Sequence, residues 1–341
     1  MRITPDISEC WKSQYQILSS SAVSTGMSSS HVWRLSTSVG DVCLKAWPTS
    51  DCSPDRLEYI QRHVDLARSA GISCIPRGYN TDRGEVCLTR NGYLWQASQW
   101  MKGAPDVSGD VSLARRESAA KVLARLHHCW SGHCTVIGEA PGMKERLTLL
   151  QEANRDWSLL TAAVRSTEGQ LGELARRTIE HGRQSASRLA AECQNLLRPK
   201  LLHFVIRDVR CEHVLYVNDR VTGVIDYGAA RVDDPMLDLV RLSASQSPKD
   251  RNARYETLQV YFAEKAKICG EAFPTESQLT ISDDSLMRFR DFRVLDETST
   301  VLSALQWLRW LVVEHRQFSL PADKLLNRLE QLVQRLDLNQ W

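Results

Sequence analysis

A chain of 341 residues with 43% hydrophobic content has the length of about two domains or lobes and ample material for buried cores. Its 43 Lys+Arg against 41 Asp+Glu leave a formal net charge of +2, too close to balance to point to nucleic acid or an anionic membrane as main partner. No apolar run approaches the ~20 residues that cross a bilayer, and Met1 to Lys12 carries acids where a secretory signal would be apolar, so the expectation is a cytoplasmic protein with no membrane partner.

The ten cysteines are scattered without a C-x-x-C pair, which suits reduced thiols. After a polar lead-in, Tyr15 to Ser19, Val32 to Ser36 and Val42 to Trp47 read as strands. The connection over residues 20–30 is serine-rich and contains Gly26, but it matches neither G-x-G-x-x-G nor a Walker A sequence. Lys45 lies mid-strand in VCLKAW, where a long cation is either exposed or paired with an acid. A helix then opens with Ser53 as N-cap and Pro54 at its first position. Leu57, Ile60, Val64 and Ala67 mark its buried side, and Glu58 is its only glutamate. Glu85 to Arg90 and Tyr93 to Trp100 flank Asn91-Gly92, a strong two-residue turn signal. They complete a five-stranded antiparallel sheet with one helix, and the chain then runs out through QWMKG, Gln99 to Gly103.

Val111 to His128 has helical spacing at Leu113, Ala119, Val122, Leu123 and Leu126. It ends in HHCWSGHC, whose His127, His128, Cys129, His133 and Cys134 match none of the usual zinc spacings; a helix end is the preferred reading. Residues 142–197 read as two charged amphipathic helices. Near the end of the chain, Thr298 to Val313 reads as a core helix, and Pro321 opens a last amphipathic one through Leu325, Leu329, Leu332 and Leu336.

The most informative stretch is Val205 to Asp238, VIRDVRCEHVLYVNDRVTGVIDYGAARVDDPMLD. Val214 to Val217 and Val221 to Ile225 read as short strands about a turn at Asn218-Asp219-Arg220. Asp208 stands before the first strand, His213 at its start, and Asp226 just after the second. Acids beside a hairpin are common in turns. Phosphoryl transfer, however, needs an oriented acceptor hydroxyl and metal to neutralise phosphate charge; Asp208 suits the first task, and Asp226 with His213 the second.

This run resembles the catalytic segment of the aminoglycoside phosphotransferase and choline kinase-like family, small-molecule relatives of the protein kinases. Kinases place an Asn five residues after the catalytic-loop Asp and, beyond a hairpin, the Asp of D-F-G. The corresponding steps here are Asp208, His213 and Asp226-Tyr227-Gly228, followed by a family-like tail, Asp233-Asp234-Pro235 through Asp238-Leu239. The resemblance implies an α+β, two-lobed protein-kinase-like fold, with a small antiparallel β-sheet N-lobe over residues 1–101 and a larger, mostly helical C-lobe over residues 102–341. It implies transfer of the γ-phosphate of ATP or GTP to a hydroxyl of a small molecule, with Mg²⁺ or Mn²⁺, by a monomer or homodimer. Asp208 would be the catalytic base, and His213 and Asp226 the metal ligands. Lys45 would hold phosphates with Glu58 positioning it, Gly26 would lie in the phosphate-covering loop, and Gln99, Trp100 and Met101 would form the hinge that meets the adenine.

Two departures stand out. The family's His-Gly-Asp is Ile206-Arg207-Asp208, and its metal-binding Asn is His213. A neutral imidazole suits Mn²⁺ or Zn²⁺ better than Mg²⁺, so a preference for Mn²⁺ is expected. The same changes leave open a catalytically weakened pseudokinase serving as a nucleotide- or protein-binding module, although Lys45, Asp208 and Asp226 all survive. Acids and bases beyond Gly228 are nearly balanced, which gives no support to a polycationic aminoglycoside as acceptor. Arg207 beside the base either favours an acidic substrate or pairs with a carboxylate of the protein.

Overall fold

Alternation of apolar and polar residues organises the N-terminal sheet of this computed structural model, which describes residues 3–4, 7, 9–23, 29–133, 135–270, 283–318 and 321–338, with side chains from 287 onward in the segment that begins at 283. In β3 (Gly40–Pro48), Val42, Leu44 and Ala46 are buried on one face, which puts Cys43, Lys45 and Trp47 on the other. β3 pairs antiparallel with β2 (His31–Thr37) and β6 (Tyr93–Gln99); β1 (Ile17–Val23) lies beyond β2, and β4 (Gly78–Tyr79) and β5 (Leu88–Arg90) both pair with β6. The buried face closes over Trp11, Tyr15, Leu35 and a stacked pair, Trp33 and Trp95, with ring centroids 5.3 Å apart.

The described sheet therefore has six strands, not the expected five. Gly78-Tyr79 is too short to show any alternation. The first strand starts at Ile17, and Tyr15 is instead a buried core residue ahead of it. Glu85 leaves the expected fourth strand because its backbone closes a local turn: Thr81 N–H donates to the Glu85 carbonyl at 2.8 Å, and Glu85 N–H donates to the Thr81 hydroxyl at 3.2 Å. Asn91 and Gly92 take φ of +53° and +77°, the left-handed pair that a tight hairpin requires. Ser53 caps α1 (Pro54–Ser69) by accepting from Arg56 N–H, as its sequence predicts.

The rest is mainly helical: α2 (Leu113–Ser131), the paired α3 (Pro141–Arg165) and α4 (Gly169–Leu196), α5 (Met236–Gln246), α6 (Arg251–Cys269), α7 (Asp283–Leu308, continuing into a π-helical turn at Arg309–Val313) and α8 (Ala322–Leu338). Between the helices lie two small sheets. In one, the expected hairpin of β10 (Val214–Val217) and β11 (Arg220–Val224) gains β7 (Ala104–Pro105) at its edge. In the other, β9 (Lys200–Val205) pairs with β8 (Thr135–Gly138) and β12 (Arg231–Asp233). The described cysteines are all free, and no described helix is long and apolar enough to cross a membrane.

α7 begins well before the expected Thr298, because its early turns bury charge as well as apolar surface. Asp291, Asp296 and Glu297 are all buried, which breaks the apolar period. Arg254 of α6 and Arg335 of α8 converge on Asp296: Arg254 Nε lies 3.2 Å from Oδ2, and Arg335 Nη2 donates to Oδ1. Removing that carboxylate would strand two buried cations. Asp296→Ala is expected to destabilise the protein by about 3–5 kcal/mol, read from the urea midpoint; a loss below about 1 kcal/mol would show that water already solvates these arginines.

Candidate active site

The loop after β9 is held by a buried carboxylate. Asp238 of α5, fully buried, accepts from Ile206 N–H at 2.7 Å and from Arg207 N–H, and lies 3.1 Å from His127 Nε2. His127 Nδ1 is in turn 2.8 Å from the Tyr261 hydroxyl. Imidazole is thus supplied to the buried base of the loop by α2, from the HHCWSGHC run, while Ile206 in the loop is fully buried. Arg207 is forced to φ +67°, a left-handed conformation that costs a side-chain-bearing residue about 1–2 kcal/mol. Its guanidinium pairs with Glu145 at 2.7 Å and Asp233 at 3.3 Å, settling that part of the sequence reading in favour of protein carboxylates.

Asp208 emerges from this turn with its side chain 32% exposed. Its Oδ1 accepts from Arg241 Nε at 3.1 Å and Nη2 at 2.6 Å, with Arg210 Nε at 3.7 Å. The Asp208 carbonyl oxygen lies 2.6 Å from His213 Nδ1. A carbonyl can only accept, so the neutral ring carries its proton on Nδ1 and keeps a lone pair on Nε2. That Nε2 is 3.8 Å from Asp226 Oδ2.

The other oxygen of Asp226 binds the small lobe. Lys45 Nζ donates to Oδ1 at 2.9 Å, across 181 positions of chain, and sits 3.7 Å from the centre of the Trp47 ring. Burial pushes the Asp226 carboxyl up, but the Lys45 charge and hydrogen bond, helped by His213 and the Gly228 N–H, outweigh it and hold the pKa below the ordinary carboxylate range. Gly228 permits the approach: a Cβ there would lie 2.6 Å from the Trp47 indole.

Lys45, His213 and Asp226 are therefore brought together, with Asp208 joined to them through His213. Glu58 is not. It is exposed on α1, its charge helping, after burial, to push the Cys87 thiol up to about 11, and the carboxylate on Lys45 is Asp226. The expected Glu58–Lys45 pair is corrected accordingly, for a geometric reason: the side of α1 that packs inward is the row of Leu57, Ile60, Gln61 and Val64. Gln61, which the sequence did not single out, reaches the sheet, accepting at 3.3 Å from Gln96, the cross-strand neighbour of Lys45. In the expected hinge, Gln99 N–H donates to the Arg77 carbonyl at 2.7 Å and Trp100 N–H to that of Asp41 at 3.0 Å. Trp100 lies under the Arg34 guanidinium at 5.2 Å, and Met101 is buried. Gly26 lies outside the described residues. Arg241 and Arg146 also escaped sequence reasoning; the one available signal was Arg241 standing a helical step after Asp238.

No group of three or more His, Cys, Asp or Glu residues suited to a metal occurs among the described residues. His213 Nε2 and the Asp226 carboxylate form a two-ligand set, one neutral nitrogen and one anionic oxygen, which fits a divalent ion that takes its remaining ligands from phosphate and water. The two described cavities lie elsewhere: one of about 220 Å³ beside Lys200, Asp234 and Tyr261, and one of about 460 Å³ between α3 and α4 at Thr161, Ile179 and Arg183.

The model of the phosphotransferase enzyme family matches residues 20–270. Among solved structures, the chain is similar to an aminoglycoside phosphotransferase from Alicyclobacillus acidocaldarius subsp. acidocaldarius DSM 446, with a TM-score of 0.60 and 14% identity over 100% of this chain and 94% of that one. It is similar also to the amicoumacin kinase hAmiN, solved in complex with AMP-PNP, Ca²⁺ and Ami (TM-score 0.59, 12% identity, 94% and 88% of the two chains). A glucosamine kinase solved with glucosamine, ADP and inorganic phosphate gives a TM-score of 0.56 at 16% identity, covering 95% of this chain and 80% of that one. At such identities these likenesses show the shared protein-kinase-like fold. No curated protein matches the sequence.

The left-handed turn at Arg207 has a direct test. Arg207→Gly and Arg207→Ala both lose the ion pairs, but only glycine relieves the backbone, so the glycine variant is expected to be more stable than the alanine one by about 1 kcal/mol. Equal urea midpoints would show that the loop does not hold this conformation in solution.

Proposed function

The chain belongs to the phosphotransferase enzyme family, and from that premise we propose that it is a small-molecule kinase, moving the γ-phosphate of ATP or GTP to a hydroxyl group. The observation that carries the proposal is the Lys45–Asp226 contact at 2.9 Å. It supports a cleft with a cation from the sheet facing the acid that follows the hairpin, the pairing of charges that nucleotide phosphates and their metal require. The neighbours described with aminoglycoside or glucosamine in their names support a small hydroxyl-bearing acceptor. In this reading the small lobe ends near Met101 and the larger runs from residue 102.

Each residue then has a task. Lys45 donates to phosphate oxygens. Asp208 uses Oδ2, the oxygen without a described contact, to orient the acceptor hydroxyl and take its proton as the hydroxyl oxygen attacks phosphorus. His213 and Asp226 hold the divalent ion, which when bound neutralises phosphate charge. Trp100 and Gln99 have their N–H groups committed within the protein, so the N–H that meets the nucleotide base in this reading is that of Met101. The pseudokinase reading draws support from one observation, the Arg241 guanidinium on the base.

Thermal unfolding with ATP or GTP, each with Mg²⁺ or Mn²⁺, separates the readings. A nucleotide at 100 times its Kd adds about 2.7 kcal/mol of stability. An enzyme shows this shift together with slow hydrolysis that falls about 10²- to 10⁴-fold in Asp208→Ala; a shift without turnover supports the pseudokinase. Wild type is expected to be faster with Mn²⁺, and His213→Asn, which replaces nitrogen by oxygen, to move the preference toward Mg²⁺. An unchanged metal preference in that variant would remove His213 from the metal site.

A further inference from the structure

Arginines crowd the approach to Asp208 in excess of the carboxylates available to them. Arg207 and Arg231 share Glu145 and Asp233. Arg241 and Arg210 share the base itself, Arg210 with Glu212 as a second carboxylate at 3.8 Å. Arg146, one turn into α3, is left with the Gly142 carbonyl at 2.9 Å and the Ser299 hydroxyl at 3.4 Å as its described hydrogen-bond acceptors. Burial, then repulsion from Arg207 and Arg241, pulls its pKa down to about 10, against the attraction of Asp233. A half-buried guanidinium with no described carboxylate in contact carries a desolvation cost, and the fork of an arginine matches a carboxylate or phosphate.

The base bears on the same point. Arg241 holds Oδ1 of Asp208 with two nitrogens, which leaves Oδ2 for the hydroxyl proton and stands a guanidinium beside the arriving acceptor. A polycationic acceptor would meet repulsion here, and a neutral one would leave both arginines as they are.

We propose that the acceptor carries an anionic group, carboxylate or phosphate, in addition to the hydroxyl that is phosphorylated, and that Arg241 and Arg146 bind this group. The proposal rests on the small-molecule kinase reading and specifies its substrate class. In the unliganded protein Arg241 latches onto Oδ1 of the base; the anionic group draws it away in the same event that seats the hydroxyl against Oδ2. The latch also restrains transfer to water while the acceptor is absent.

The test uses the full chain without nucleotide and compounds matched in skeleton but not in charge: glycerol, glycerate and glycerol 3-phosphate; glucose, gluconate and glucose 6-phosphate; and the polycation kanamycin, all at one ionic strength. Carboxylates or phosphates are expected to raise the Tm where the neutral parents and kanamycin do not, and the arm that responds identifies the anion. In Arg241→Gln and Arg146→Gln the apparent affinity for the responding anion is expected to weaken at least about tenfold, the loss of one charge-assisted hydrogen bond. Arg241→Lys, which keeps the charge without the fork, is expected to fall between. With ATP and Mn²⁺ and no acceptor, Arg241→Gln is expected to hydrolyse ATP faster than wild type. The proposal is overturned if no anion stabilises the protein, if neutral or polycationic compounds do so equally, or if the anion effect survives in both glutamine variants. Slower hydrolysis in Arg241→Gln would equally overturn the latch, by assigning that guanidinium to the transferred phosphate. Failure of the kinase reading appears separately, as no Tm shift with nucleotide and metal, and leaves the nucleotide-free anion result to be judged by itself.

Discussion

An ammonium on β3 and a carboxylate just past β11 meet at 2.9 Å, and that contact joins the N-terminal sheet to the hairpin that carries His213 and Asp226. It needs the strand alternation that turns Lys45 away from the core side of its sheet, and a glycine at 228 to let the loop slide beneath Trp47. It also needs Asp226 in a left-handed conformation, φ +65°, so that one carboxylate oxygen faces Lys45 and the other faces His213. The sheet and the hairpin, which could otherwise drift apart, are thus pinned at this contact. The pair is partly solvated, so its worth lies in register more than in stability.

Beyond that contact, main-chain and side-chain constraints divide the work. Asp238 fixes the main chain of residues 206–207, and with it the direction in which Asp208 leaves the loop; because its partners are two backbone donors and a buried imidazole, the arrangement is rigid. The side-chain charges above it are more labile. Arg241 is 38% exposed and is bound to an acid whose second oxygen has no described contact, so it can be exchanged at modest cost. Rigid main chain with exchangeable side-chain charge is what a site needs if it is to be held ready and still admit a substrate.

What the sequence made legible were the features encoded locally. The hairpin of β10 and β11, the Ser53 cap and the Asn91-Gly92 turn depend on residues within a few positions of one another, and each appears in the structure. The grouping of Lys45, His213 and Asp226 was legible only through resemblance, since nothing local ties position 45 to position 226. Glu58 was misplaced because residue type and order say nothing of helix rotation: Leu57 beside it claims the buried face. β8, β9 and β12 were not read at all, as their pairing depends on segments far apart in sequence, and α7 was read short because paired buried acids imitate a solvated surface. His127 looked like a helix-end histidine and proved to belong to the network under the loop that carries Asp208. Arg146 carries no sequence signal beyond its charge, and Arg241 only its place a helical step after Asp238.

The most direct measurement is anomalous scattering from crystals grown with Mn²⁺ and a non-hydrolysable ATP analogue. A manganese peak is expected within bonding distance of both His213 Nε2 and the Asp226 carboxylate, with the nucleotide phosphates against Lys45. A peak bonded to neither residue, or a nucleotide lodged away from Lys45, would contradict this arrangement.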